Sequence, residues 1–520
     1  MTTVSERPAK AWIRTPWRAA YAGCLLLLIL NLGIAHALRW YNSDDVALQT
    51  ILGQWQRGYH ATAHLGADSF ILKVPLYLAV DLVVDNGRAA LLLTSLILNV
   101  TGFVLFVASV RYFTKKLSLE RPHLVIWPLL WVAGLGLMLA NALITPNLRN
   151  LEIGLAFLLI MLVAKCWDGE VELSPARILV AVPVLGLFLY DDPYFLFVYV
   201  VPLIALLLAG FAVRRDDKRP ALLAGVLAGG VVAYKVIELV LRAVGLSPLR
   251  LDASVADLAA IRQHFRLLVH GGLQLFEADL IDRPLSLAHP RPLLNLVVLL
   301  GALLYPLALW RRPAGFREEP WCWFFGVLPL VVAAIFVFSN QASDLASARY
   351  LVFVPFVAVV VIGVGLQGIE TKSLRNAAVV VVAAATAVNV VTTVDYYREQ
   401  RGGANQINRV VVAAAIGDGL TKGYAGYWSS NINTYLSRDR VDFIQVECVD
   451  ARARPYPWLT DDGVLAKRAS RTFFLWEADD ARSGCTYDDL LRQFGDPGRV
   501  VPVTDAKKLL VYDYDLAQRM

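Results

Sequence analysis

From Trp17 to about Thr393 the chain is a succession of apolar runs long enough to cross a bilayer, with the charged residues collected in the segments between them. Inside hydrocarbon every backbone N–H and C=O must be satisfied within the chain, so such runs have to be helices. They begin near Trp17, Arg88, Leu124, Leu151, Arg177, Tyr194, Ala221, Leu293, Trp321, Leu351 and Asn376, which predicts a polytopic α-helical membrane protein of about eleven transmembrane helices. Composition agrees: 57% of the 520 residues are hydrophobic and 18% are charged, and the mean hydropathy is +0.54. That excludes a soluble globular enzyme and sets nucleic acid aside as a partner. Asp191, Asp192 and Pro193 divide the stretch from Arg177 to Val213 into two short helices.

Orientation follows from the basic residues. Lys10, Arg14 and Arg18 precede the first helix, and Lys115/Lys116, Arg214/Arg215, Lys218/Arg219, Arg311/Arg312 and Lys372/Arg375 recur in alternate loops, which predicts that these loops and the amino terminus are cytoplasmic. An odd number of crossings then puts residues 394–520 outside as an extracytoplasmic domain, with residues 1–393 forming the membrane domain. The first helix also has a signal-peptide reading, since Leu25 to Ile34 is a modest hydrophobic region followed by Ala35-His36-Ala37. Everything downstream keeps its topology under either reading.

Two outer loops are long, Arg39 to about Asn86 and Gly245 to Arg291. Val46, Leu48, Ile51, Leu52 and Trp55 fall at helical spacing behind Ser43, which reads as an N-cap of an interfacial helix. A second amphipathic stretch covers Phe70 to Val84. In the tail, Val441 to Val449, Arg471 to Ala478 and Lys508 to Tyr514 read as strands and Asp488 to Gly495 as a short helix closed by glycine, hence a small α/β domain. Cys24, Cys166 and Cys322 sit in or beside apolar runs and read as buried small hydrophobes. Cys448 and Cys485 pair if the tail faces an oxidising compartment and their approach in space allows it.

Ionisable residues at membrane depth are costly, so those that converge on one face carry the functional reading. Asp44 and Asp45 open the first outer loop, Lys73 sits later in it, Arg149 and Glu152 mark the turn between the third and fourth helices, Asp191 and Asp192 end the fifth, and Arg349 begins the tenth. Together they offer carboxylates for general-base work beside cations for a phosphate, an arrangement suited to chemistry on a phosphorylated substrate.

Ser43-Asp44-Asp45, followed by Leu72-Lys73-Val74-Pro75-Leu76, resembles the first outer loop of the GT-C glycosyltransferases, which include membrane mannosyl- and arabinosyltransferases. There an acidic pair opens an interfacial helix and a Lys-Pro-Pro-Leu run follows after about thirty residues. Arg349-Tyr350-Leu351 with Pro355 is similar to a late Arg/His-Tyr-Leu-Leu-Pro run of the same superfamily. The resemblance covers mainly the first two hundred residues and the Arg349 region. It implies a GT-C type fold and transfer of a sugar from a polyprenyl-phosphate donor to a lipid, glycan or protein acceptor, on the outer face of a bacterial cytoplasmic membrane. It also implies that Asp44 is the catalytic base with Asp45 beside it, that Lys73, Arg349 and Tyr350 contact the donor phosphate, and that Glu152 is a second acidic position, with Arg149, Asp191 and Asp192 orienting substrate. Asp45 stands where a Glu is common and Val74 replaces the first proline, so subfamily, sugar and acceptor stay open.

The residues also have plainer readings. Acids behind Ser43 favour a helix dipole, Lys73 can snorkel to headgroups, Arg149 and Glu152 are spaced to pair on one helix, and Asp192-Pro193 is an ordinary solvated helix start. Lys235 and Glu238 read as an internal pair with Lys235 also able to face the donor phosphate, and His264 and His270 read as solvated helix positions beside Arg262 and Arg266. Tyr424, Tyr427 and Trp428 form an aromatic cluster suited to sugar stacking or to a core. No cofactor is required for transfer from a polyprenyl monophosphate, and a divalent cation, if used, falls to Asp44 and Asp45. A lipid-linked saccharide flippase or transporter, or a polysaccharide polymerase, is the alternative function.

Overall fold

The computed structural model describes residues 14–38, 43–44, 46–65, 71–84, 87–117, 121–134, 149–248, 254–281, 290–310, 320–399, 405–478 and 485–520. Each apolar run foreseen in the sequence carries a helix or part of one. These are α1 (Arg14–Leu38), α4 (Gly87–Lys116), α5 (Ile126–Ala133), α6 (Asn150–Trp167), α7 (Pro175–Asp191), α8 (Val201–Val213), α9 (Arg219–Ala243), α11 (Arg291–Trp310), α12 (Pro320–Phe338), α13 (Phe353–Gly368) and α14 (Lys372–Glu399). Six stretches among the described residues, Ala89–Lys116, Leu196–Val213, Arg219–Ala243, Pro320–Phe338, Ser347–Gly368 and Lys372–Asp395, are long and apolar enough to cross a membrane.

The long apolar run splits where Asp191 and Asp192 predict: α7 ends at Asp191, and a π-helical turn (Leu196–Val200) leads into α8. Two helices meet without side chains between them. A Cβ on Gly154 of α6 would lie 2.3 Å from the Gly102 carbonyl oxygen of α4, so the backbones touch there and only glycine fits. Next to this contact Phe106, Phe157, Phe325, Phe353 and Phe356 form a buried aromatic core, with Phe106 edge-on to Phe157 at 4.7 Å and to Phe356 at 5.1 Å. Polar bonds also cross between helices. Asn31 of α1 donates to the carbonyls of Ala133 and Gly134, and Asn295 of α11 bonds Trp131 of α5 at 3.0 Å and Asn389 of α14 at 2.8 Å. In an apolar surround such bonds fix which helix faces which.

The basic clusters gather at one end of this bundle. Lys116 pairs with Asp168 at the far end of α6, Arg219 lies against Gly169, Arg121 donates its N–H to Gln367 at the end of α13, and Arg375 caps the Ile369 carbonyl. Arg311 and Arg312 lie outside the described residues.

The opposite end carries the tail. Its six-stranded sheet has the order β5-β4-β3-β7-β9-β8, built from β3 (Lys422–Gly426), β4 (Asp442–Val449), β5 (Arg452–Pro455), β7 (Thr472–Glu477), β8 (Arg499–Thr504) and β9 (Lys507–Tyr512). β3 runs parallel to β4 and β7, while β5 and β9 run antiparallel to their neighbours. The three strands and the helix read from sequence are there, the helix as α18 (Tyr487–Phe494), capped by Thr486 and closed by Gly495 at φ +79°. Helices α15 (Gln406–Gly417) and α16 (Tyr427–Leu436) cover one face of the sheet. α17 (Asp462–Ala466) and α18 cover the other. Cys448 and Cys485 form a disulfide with Cα atoms 5.3 Å apart, and Cys24, Cys166 and Cys322 are buried outside any disulfide.

One feature of the joint between tail and bundle has no signature in the sequence. β1 (Ala63–Leu65) pairs with β2 (Leu246–Pro248) and with β6 (Thr460–Asp461) of the tail, so three remote segments share one small sheet. Helix α2 (Ala47–Gln56) lies beside it. Asp461 accepts from Trp55 Nε1 and from the Ala61 N–H, while its own N–H donates to Gln54. Arg57 reaches Asp442 at 2.8 Å and Asp439 at 3.4 Å.

Several expectations need correction here. α2 starts at Ala47 with Val46 as its N-cap, and Ser43 is buried with an unbonded hydroxyl among the described residues, because the chain enters the helix from a turn packed under the tail. The second amphipathic stretch condenses to α3 (Val74–Asp81), starting at the helix-favouring Pro75. His264, on α10 (Leu258–Leu275), is no solvated residue: it is buried with Nδ1 against the Val337 carbonyl at 3.1 Å.

Candidate functional site

The sequence-named ionisable residues do converge at the tail end of the bundle, and they do so as cross-helix pairs. Lys73, at the start of α3, meets Glu152 of α6 at 2.5 Å, each 2% exposed in its side chain. Asp191, at the end of α7, accepts the Leu72 N–H at 3.0 Å and feels the charges of Glu152 and Lys73. Arg149 precedes α6 and grips Asp192 with two hydrogen bonds, 2.5 and 3.3 Å. Arg149 and Glu152 therefore do not pair with one another on their helix; each is claimed by a different segment. Nor are Asp191 and Asp192 solvated: both are buried, and Asp192 also accepts the Tyr194 N–H.

Aromatic rings hold the arginines in place. The Arg149 guanidinium lies over Tyr194 at 4.8 Å and over Tyr350 at 5.5 Å. The Tyr194 hydroxyl donates to the Tyr350 carbonyl, and the two rings are 5.8 Å apart. Tyr350 and Arg349 belong to a 3-10 turn (Leu345–Leu351) whose start is fixed by a capping box between Asp344 and Ser347. Arg349 is exposed along part of its length, but its guanidinium, 5.3 Å from the Tyr350 ring, is largely desolvated and feels the charges of Tyr350, Asp44 and Arg149. Asp44 is half-buried in the turn before α2. From the tail, Tyr456 approaches: burial, then Glu447, then Asp44 push its phenol above its ordinary pKa. Asp45 lies outside the described residues.

Lys73, Arg149, Glu152, Asp191 and Asp192 form a buried ionic plate joining α3, α6 and α7. Asp44 and Arg349 feel one another's charge. No group of three or more metal-ligating side chains occurs among the described residues. Tyr194 and Tyr456 escaped sequence reasoning. Tyr194 follows Asp192-Pro193 and was legible only as an aromatic near a break, whereas Tyr456 is remote in sequence from everything it approaches.

Other candidates have structural roles. Lys235 and Arg242 both pair with Glu238 along α9, at 3.0 and 2.8 Å. Tyr424 is buried in the tail's sheet, with its hydroxyl on Asp515 at 3.0 Å. Tyr427 packs with Trp55 and Trp458 against α2, edge-on to Trp428 at 4.9 Å.

Comparison of the chain with family models, curated proteins and solved structures finds no match in any of the three.

Proposed function

We propose that the protein is an inverting glycosyltransferase of GT-C type that moves a sugar from a polyprenyl-phosphate donor to an acceptor hydroxyl. The observation that carries the reading is the gathering of Lys73, Arg149, Glu152, Asp191 and Asp192 in a buried ionic plate at the tail end of the bundle, with Arg349 and the half-buried Asp44 near enough to feel one another's charge. In this reading Asp44 takes the proton of the acceptor hydroxyl, the acceptor oxygen attacks the anomeric carbon, and the bond to the phosphate oxygen breaks with its electron pair leaving on the phosphate. Arg349 stabilises the negative charge growing there, and Tyr350 holds Arg349 in place. Lys73 is taken up by Glu152, so it supports α3 and reaches a phosphate only by exchanging partners.

The same reading places the sequence-assigned Asp45, Arg149, Glu152, Asp191 and Asp192 in orienting roles, the last four through the plate. It puts the tail on the outer face of a bacterial cytoplasmic membrane, because the basic loops gather at the other end of the bundle and the tail carries a disulfide.

A flippase or transporter needs ionisable residues along a passage, whereas these crowd at one end. The test uses the purified chain in liposomes with a labelled polyprenyl-phosphate sugar. Transfer predicts a new labelled glycoside and free polyprenyl phosphate. Unchanged labelled lipid crossing between leaflets, with no glycoside formed from a broad panel of donors, would overturn the reading.

A further inference from the structure

The tail holds a second, separate feature: an open groove of about 780 Å3 between the edge strand β5 and α18, lined by Asp450, Arg452, Arg454, Asp489, Arg492, Gln493, Arg519 and nearby backbone. Its volume falls within the roughly 300–1,000 Å3 range of small-ligand sites. Four arginines and two aspartates are among its lining residues. Asp489 is taken by Arg492 and by the Thr486 hydroxyl at 2.8 Å. Arg519 donates to the Phe494 carbonyl at 2.9 Å and lies over Tyr514 at 4.5 Å. Arg452 and Arg454 are exposed and pair with no carboxylate among the described residues, although Arg454 sits opposite Glu447 in the register of β4 and β5.

These two arginines are held ready. β4 turns into β5 through Asp450 and Ala451, both at positive φ (51° and 61°), the tight hairpin geometry that fixes register. Residues two apart on a strand share a face at about 6.6–6.8 Å spacing. The opposite wall is fixed as well, because the Cys448–Cys485 disulfide joins β4 to the residue before the cap of α18, and Gln493 bridges to the backbone of Ala453 at 2.7 and 3.0 Å. Two arginines on a fixed stretch of backbone, with no carboxylate partner among the described residues, suit oxyanions repeated along a chain better than a single phosphate.

We infer that this groove binds an acidic oligosaccharide, a hydroxylated chain bearing carboxylate groups at intervals, with Arg452 and Arg454 as its principal contacts. The lining is polar, so it suits hydroxyl groups. It contains no aromatic ring, which removes the stacking platform a single-stranded nucleic acid needs. The disulfide belongs in an oxidising compartment, where nucleic acid is not the available polyanion. The inference is independent of the transfer reaction, since the groove is built wholly from the tail.

The experiment titrates fluorescent tetragalacturonate against the full chain in neutral detergent and compares it with maltotetraose as the neutral analogue. The double variant Arg452→Glu/Arg454→Glu should bind the acidic chain more weakly by about tenfold or more, given the strength of charge-assisted bonds. A control of equal charge change elsewhere in the tail, Arg409→Glu/Arg440→Glu, should stay within about twofold at physiological salt. An unchanged melting temperature separates lost binding from lost folding. Equal losses in both double variants, equal affinity for the neutral chain, or binding to anionic lipid nanodiscs without binding to the oligouronate would each overturn the inference.

Discussion

Lys73, Arg149, Glu152, Asp191 and Asp192 are each no more than 9% exposed, yet all five side chains ionise in water. Four of them are buried as two pairs, Lys73–Glu152 and Arg149–Asp192, while Asp191 accepts the Leu72 N–H, and removing one partner of a pair strands the other. Asp192→Ala should therefore destabilise the bundle by about 3–5 kcal/mol, as should Glu152→Ala, read as loss of monodisperse protein on heating in detergent. Arg349→Ala breaks no such pair and should leave the melting temperature unchanged while raising the donor KM. In the tail, Asp515 gives a pH effect of defined sign. Burial alone would raise its pKa, but the Ala517 N–H, Lys422, the Tyr424 hydroxyl and the Ala469 N–H outweigh that and hold it below the ordinary carboxylate range. Its stabilisation is complete above an unfolded-state value of about 4 and is lost as pH falls through the lower folded value. Tail stability followed by tryptophan fluorescence should fall on acidification below about pH 4, and Asp515→Asn should flatten that dependence.

At the scale of elements, the helices were legible because the period and length of apolar runs report burial directly, and the break at Asp191-Asp192-Pro193 was legible because charge and proline interrupt a helix by their own chemistry. Pairing between elements was not legible. Which partner Glu152 takes depends on α3 reaching it, and β1, β2 and β6 are too short to carry an alternating pattern. Ser43 looked like a cap because its type suits that role, but packing under the tail moved the helix start to Ala47. Two predictions belong here. Gly154→Val would drive a side chain into the Gly102 backbone and should separate α4 from α6, read as a collapse of melting temperature beyond that of Gly225→Val, where a Cβ meets nothing within 4 Å. Asp461→Ala removes the acceptor shared by Trp55 and the Ala61 and Gly463 N–H groups, and it should cost about 1–3 kcal/mol and expose the β1 segment to protease.

The whole molecule is an apolar bundle with basic loops at one end and a disulfide-bearing α/β tail at the other, clamped to it through the sheet that β6 shares with β1 and β2. Tyr456 of the tail feels the charge of Asp44, so the tail contributes to the electrostatics of the candidate site. Under the proposed function Asp44 takes the acceptor proton during glycosyl transfer. The direct measurement is turnover of a radiolabelled panel of polyprenyl-phosphate sugars by the purified chain, wild type against Asp44→Asn at matched folding. The account predicts transfer by the wild type and a loss of at least about a hundredfold in the variant, the scale of general-base catalysis. Equal turnover in the two proteins would contradict it.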